Sequence, residues 1–557
     1  MYGDPGRSRI IADLSRAEPA VYLSRRRIPG HWQVIDYEIA GTRGTLLSVG
    51  PYTQAPPVQI PLDAAGWHAI SIGFFAPNDE DFPCSLRLRL TSDKNYVRWR
   101  PEKHLYEHII ERFWKYANLQ AGDRLEVAQD DGGYDHPGAI AFIRLTPLIE
   151  EEVKAIQADR AQTASRRLIA MNDAHGLYYE ACPTTAAEIE EWLEPYRDTD
   201  VKAMLWCVGG GAEVVTYPSQ VAQVMCQETV DYPRAGDLYI AQSMQALIGQ
   251  GIDPLRVACD YTHQLGIEFI VSQRMEAFAC APPFEEVFNS LTYDRHPEWR
   301  CVDRDGTPVV RLSYAYEGVR RLMLDIFHEV ADYGIDGINP IFNRGAPFLL
   351  YETPLLEGFQ AQFGQDPRTL DERDERWLRY RAGVMTDFMR QLRREMDQHG
   401  STPAGKRLQI VAHVLHNEET NLFFGLDLAT WVAEGLVDTL IAYPWHSHAS
   451  DVIDLDYFAR LCRHTGVSWY VDLLPRRMEP ADYLKEAQRI YGAGADGICL
   501  WDTNGRDPFW REWAIVRQLG HREQLAQMDP ADNGAVDHPL ISLGGYRVDR
   551  YSPLWAY

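Results

Sequence analysis

The sequence predicts an α/β fold: a (β/α)8 barrel of the TIM type, preceded by an antiparallel β-sandwich of jelly-roll kind. Three observations carry this. Eight short apolar segments between residues 165 and 525 alternate with amphipathic helical segments. Each of the eight is apolar on both faces, as a parallel strand covered by helices must be. Residues 31–150, in contrast, hold strand-like runs with almost no helical periodicity. Eight strand–helix rounds close into a barrel more readily than they extend an open sheet.

The N-terminal runs are Trp32–Ile39, Gly44–Val49, His68–Phe75, Leu86–Leu90 and Ala139–Leu145, separated by Gly, Pro, Asn and Asp. They place a β domain at residues 1–155, of the density expected for a sandwich or jelly roll. Glu150–Arg167 reads as a polar helical connector. The barrel strands are then Arg167–Met171, Lys202–Val208, Ile267–Ser272, Gly337–Phe342, Leu408–His413, Asp438–Tyr443, Ser468–Leu473 and Gly497–Trp501. Helical segments such as Ala186–Arg197, Pro254–Leu265, Tyr316–Tyr333, Glu375–Gln398 and Ala481–Tyr491 lie between them. Several strands follow a helix-stopping Gly, as in Leu265-Gly266-Ile267 and Gly494-Ala495-Asp496-Gly497. The barrel is expected over residues 165–525, with inserts at Ala212–Gly251 and Glu276–Ser313 on the face where barrels carry functional loops. Residues 526–557 read as a Gly/Pro-rich tail, packed back on the β domain.

With 80 acidic and 55 basic residues the formal net charge is −25, which repels phosphate backbones and anionic membranes. Nucleic acid and membrane partners are therefore not expected. Nine scattered cysteines without a CxxC read as reduced core thiols. The N-terminus shows no apolar signal region, so the expected location is cytoplasmic. No dinucleotide or PLP-type motif follows a strand, so no cofactor is expected.

In a barrel of this kind the chemistry sits where strands end. Strand 1 ends in Asn172, Asp173 and His175, strand 2 in Trp206 and a Gly209–Gly211 run, and strand 3 in Arg274 and Glu276. Strand 4 gives Asn343 and Arg344, with Glu352 further along its loop. Strands 5 to 8 give His413, then Tyr443 and Trp445, then Asp472, then Trp501 and Asp502. A single Asp after a strand is commonly a helix cap. Convergence of charged, amide and aromatic groups on one face is what marks a site. Asp336, Asp438 and Asp496 precede strands and belong to the opposite, structural face.

Leu265–Met275 (LGIEFIVSQRM), His296–Trp299 (HPEW), Tyr314–Arg320, Asp336–Arg344 (DGINPIFNR), Trp431–Asp438 (WVAEGLVD) and Ala495–Asp502 (ADGICLWD) together resemble the glycosyl-hydrolase-like barrel proteins, the family 10-like group of bacterial glycosidases. The resemblance covers residues 260–505 and implies glycoside hydrolysis by carboxylates at the barrel mouth. Two departures stand out. Glu276-Ala277 replaces an Asn-Asp type ending on strand 3, and Asn339-Pro340-Ile341 stands where relatives carry an acidic pair.

Hydrolysis of a glycoside needs two carboxyl groups flanking the scissile bond. Glu352 follows the apolar Phe348–Tyr351 and is expected to be the general acid/base, with Asp472 or Asp502 as nucleophile or water-activating base. Asp173 and Glu276 are further carboxylates of the mouth, placed with the substrate-binding residues, and Arg274 and Arg344 are expected either to pair as structural ions or to bind substrate oxygens or hold a carboxylate ionised. Asn172, His175, Asn343, His413 and Tyr443 are expected to bind sugar hydroxyls, and Trp206, Trp445 and Trp501 to stack on sugar faces. Two alternatives stay open. One is a metal-dependent, amidohydrolase-like barrel using His413, His446 or His448, and Asp502. The other is a carbohydrate-binding protein without catalysis. The sequence does not decide the oligomeric state, and a homo-oligomer joined through the β domain is as compatible as a monomer.

Overall fold

The computed structural model describes residues 2–75, 84–99, 108–130, 136–173, 175–211, 213–226, 231–276, 287, 291–501, 512–531 and 535–548. The N-terminal part contains two sheets. The larger runs in the order 23–24, 32–39, 42–49, 138–147, 66–74, 108–119, 535–543, 546–547, with strand 9–11 joined to 138–147. The smaller runs 58–61, 124–129, 86–90, 97–99. Alternation explains why both form: in Leu86–Leu90 every second residue is buried. Val34, Leu47, Ile70 and Ile72 of the larger sheet share one apolar cluster with Val58, Ile60, Leu88 and Val127 of the smaller.

Within the tail, residues Ala535–Leu543 pack back on the N-terminal β domain. They form a strand antiparallel to both His108–Leu119 and Trp32–Ile39, so the chain's end completes the sheet that its start begins.

Between these segments lies a closed barrel of eight parallel strands: β1 Leu168–Asn172, β2 Val201–Cys207, β3 Glu268–Arg274, β4 Gly337–Ile341, β5 Gln409–Val414, β6 Thr439–Ala442, β7 Ser468–Asp472 and β8 Gly497–Trp501. Their alternation sorts two cores. Ile169, Met171, Leu205, Ile270, Ile341, Val411, Ile441, Tyr470, Cys499 and Trp501 pack inside the barrel. Leu168, Ala170, Trp206, Phe269, Ile338, Ile410, Leu440, Val471 and Leu500 pack outward with the helices. Both faces are therefore apolar, as doubly covered parallel strands require.

The barrel's lower end repeats one device. Asp336 accepts from the Phe269 amide at 2.8 Å, Asp438 from Ile410 at 2.8 Å and Asp496 from Trp469 at 2.9 Å. In each case the Asp before one strand satisfies a starting amide of the strand before it. His521 closes the same end, with Nε2 2.6 Å from Asp159 of the helix Glu150–Ala161 and Nδ1 2.6 Å from Asp200, just before β2.

Asp159, then Asp200, raise the His521 pKa from 6.5 to about 10. A histidine raised in the folded state contributes stability that is complete below its unfolded value and fades as pH climbs through the folded one. His521→Gln is thus expected to cost about 2 kcal/mol at pH 6 and clearly less near pH 10, read as urea unfolding midpoints. An equal loss at both pH values would show that the charge contributes nothing.

Candidate active site

The alternation that places Met171, Ile270, Ile341, Val411, Ile441, Tyr470 and Cys499 inside the barrel also directs the next inward positions to its upper mouth. Those positions are Asp173, Arg274, Asn343, His413, Tyr443, Asp472 and Trp501. They form two linked groups.

In the first, Arg274 Nη2 lies 2.9 Å from both oxygens of Asp173. Its Nη1 reaches the Gly210 carbonyl at 3.2 Å and Glu276 at 3.5 Å. A Cβ at Gly210 would meet the tips of the Met225 and His175 side chains, which would have to shift to admit it. His175 Nδ1 stands 4.0 Å from Asp173. Burial alone would raise the Asp173 pKa, but the Arg274 charge, with help from His175 and Arg344, overcomes it and holds the carboxyl at about 2. Burial pushes His175 down to about 4, so its imidazole is neutral at pH 7.

In the second group, His413 Nδ1 sits 3.0–3.2 Å from the Asn339 amide, which donates to the Ser272 hydroxyl at 2.9 Å. His413 Nε2 then faces Cys499 Sγ at 3.7 Å and Asp472 at 3.9 Å. All three side chains are buried, and burial, then Arg344, pushes the His413 pKa down to about 3. The indole of Trp501 meets His413 edge-on at 5.0 Å, and Tyr443 lies 5.5 Å from Trp501. Arg344 lies over both rings, 5.2 Å from Trp501 and 5.9 Å from Tyr443. Trp445 packs on Phe424 at the rim.

Three residues expected at the site are placed elsewhere. Trp206 points outward, packed in the strand–helix layer 6.2 Å from Phe269, so it offers no stacking floor to the mouth. Asn172 also points outward. With its amide oriented to suit both neighbours, it accepts from the Trp192 indole at 2.5 Å and donates to the Asp173 carbonyl at 2.9 Å.

Glu352 is buried before the helix Thr353–Phe363, where it accepts from the backbone amides of Leu350 and Val302 at 3.0 Å. Burial raises its pKa, and those amide bonds and Ser313 oppose the rise. Among the described residues its hydrogen-bond partners lie in its own loop and in or just after the hairpin carrying Cys301, and none is Asp173, His413 or Asp472. Glu352→Gln is expected to destabilise the fold by about 2 kcal/mol, since an amide NH2 would face backbone donors. Chemical denaturation of the purified variant measures this. Asp502 lies outside the described residues.

Cys499, Asn339 and Ser272 join the site without a sequence signal. Among the described residues, His413, Asp472 and Cys499 form the group whose ligand-type atoms lie within 4.8 Å of one another.

No family model matches the sequence, and no curated protein matches it. Solved structures with similar folds include the α-L-fucosidase isoenzyme 2 of Paenibacillus thiaminolyticus, at TM-score 0.39 and 15% identity over 65% of this chain and 49% of that one. The catalytic domain of Paenibacillus polymyxa β-amylase gives TM-score 0.42 and 11% identity over 65% of this chain and 99% of that one. The α-galactosidase of Thermus thermophilus gives TM-score 0.33 and 12% identity over 89% and 96%. The chain spans about half the length of the fucosidase. Likenesses at this level carry no argument about activity.

Proposed function

We propose that the protein is a glycoside hydrolase acting at the upper mouth of the barrel. The observation that supports this best is a pair of inward carboxylates in opposite surroundings. Asp173 is held ionised by Arg274, and Asp472 is sealed in the interior beside neutral His413. Carboxylates whose environments differ are how one site supplies both partners of acid–base and nucleophilic chemistry. β1 and β7 flank β8, so two strand spacings separate Asp173 from Asp472, and the register offsets them along the strands as well, with Asp472 beside Cys499 and Met171 beside Trp501. Tyr443, half-buried and packed beside the buried Trp501, puts an aromatic ring at the mouth for a sugar to meet.

In this reading Asp472 takes the role that the reaction cannot lose, and Asp173 is the ionised partner. Glu352 holds the loop after β4 rather than a proton in transit. The test is release of reducing ends from a panel of glycans and aryl glycosides by chelator-treated protein. Turnover in wild type, kept within about threefold in Glu352→Gln and lost in Asp472→Asn, supports the assignment. Binding without release favours a carbohydrate-binding protein.

A second reading rests on the buried trio His413, Asp472 and Cys499, whose imidazole, carboxylate and thiol make a donor set suited to zinc. Stoichiometric zinc in purified protein, lost in Cys499→Ala, would favour a metal-dependent hydrolase.

A further inference from the structure

Two arginines reach the barrel mouth, and their situations differ. Arg274 is satisfied from within, by Asp173 at 2.9 Å and the Gly210 carbonyl. Arg344 is not. Among the described residues no carboxylate pairs with it, its Nε is buried without a hydrogen-bond partner, and its neighbours are the faces of Trp501 and Tyr443. Asp173, whose ionised state Arg344 favours, is already bound by Arg274.

The residue before it shows the same deficit. Asn343 is 1% exposed, and neither its amide oxygen nor its amide nitrogen has a partner. Buried amides and guanidinium nitrogens without partners are costly and rare, so two in succession at a strand end call for a ligand. The loop that carries them is also fixed. Gly345 has φ 82° and leaves no room for a Cβ against Glu276, which holds the backbone just after Arg344 close to β3.

A protein with 80 acidic residues has abundant means of neutralising an arginine. One left unpaired on an aromatic floor, with its planar edge free, suits a planar anion that accepts two parallel N–H bonds. We propose that Arg344 and Asn343 form a carboxylate-binding subsite, and that the glycan acted on carries a uronic acid residue. The sugar ring packs against Tyr443, Arg344 takes the carboxylate, and Asn343 donates to and accepts from adjacent hydroxyls. This rests on the hydrolase reading for the reaction but not for the binding. The overall negative charge does not forbid it, because screening confines distant charges to about 10 Å while Arg344 acts in contact.

The experiment is binding, followed by tryptophan fluorescence and calorimetry. The probes are oligosaccharides of glucuronate, galacturonate and mannuronate, each paired with the same oligosaccharide after reduction of its carboxyls to alcohols. A sulfated neutral oligosaccharide separates carboxylate from general anion recognition. At least one uronate probe should bind about tenfold or more tighter than its reduced form. Arg344→Met should remove that preference while changing affinity for the reduced form less than twofold. Arg344→Lys, which keeps the charge but loses the fork, should restore part of it.

No preference for any uronate, a preference that survives Arg344→Met, or equal preference for the sulfated probe overturns the proposal. Thermal unfolding of both variants checks that they fold, and the lysine variant decides if the methionine one does not. Preference without any cleavage leaves the subsite standing and removes the hydrolase reading. Cleavage of neutral glycans by the wild type, with no preference for any uronate, does the reverse.

Discussion

Asp472→Asn is expected to lower kcat by about a thousandfold or more while leaving KM within a few fold and the fold intact. Asp472 is fully buried at the end of β7, between the neutral ring of His413 and the interior wall formed by Tyr470, Cys499 and Trp501. Taking a carboxylate out of water costs several kcal/mol, so a group kept only for stability at such a point is better replaced by a neutral isostere. The asparagine has nearly the same shape, and its unfolding midpoint should equal or exceed that of the wild type. Loss of turnover with gain of stability is the signature of a group retained for chemistry. Initial rates on a cleaved glycan, with urea unfolding of the same preparations, measure both. Wild-type turnover in the asparagine variant would remove Asp472 from the mechanism. A variant that fails to fold would assign it to the core instead.

The barrel was legible because its signal is redundant: eight apolar segments, regular spacing and glycine-stopped helices all favour one topology. β8 is bounded in the structure as read from the sequence, at Gly497–Trp501, and the other strands differ by a residue or two at their ends. The site was legible only as a set of strand ends, because a strand apolar on both faces hides its own parity. Nothing in Met-Leu-Trp-Cys says which side chains enter the barrel. Trp206 and Asn172 were therefore grouped with the mouth, although each is one residue out of phase with the inward positions Leu205 and Met171.

Parity would have been recoverable from polar residues in the other strands, since Ser272, Asn339 and His413 are inward and mutually bonded. That network joins three strands far apart in sequence, which no local pattern reports. Glu352 misled for a different reason. An apolar approach does raise its pKa, but the same burial comes with backbone donors that a linear reading cannot see. The tail's return to the β domain was legible, but its strand Ala535–Leu543 carries no local sign of its partner His108–Leu119, more than 400 residues away along the chain.

Asp173→Asn should be the most destabilising single change at the mouth, costing about 3–5 kcal/mol, because it strands the Arg274 guanidinium in a pocket where its side chain is 14% exposed. The asparagine can accept one hydrogen bond but supplies no charge, and the Gly210 carbonyl at 3.2 Å cannot replace it. The double variant Asp173→Asn/Arg274→Met removes both charges and should recover most of the loss, since a buried pair is worth little net while a broken one is costly.

The pH dependence gives an independent check. The Asp173 pKa is depressed from 3.8 to about 2, so its contribution is fully present above 3.8 and is lost as pH falls toward 2. That contribution is roughly 2 kcal/mol. Urea unfolding at pH 6, 4, 3 and 2.5 should therefore show the wild type converging on the double variant as pH falls, while the single variant stays below both at pH 6. If the single variant matches wild type at pH 6, Arg274 finds its countercharge elsewhere, and the ionised state of Asp173 on which the proposed chemistry depends loses its cause.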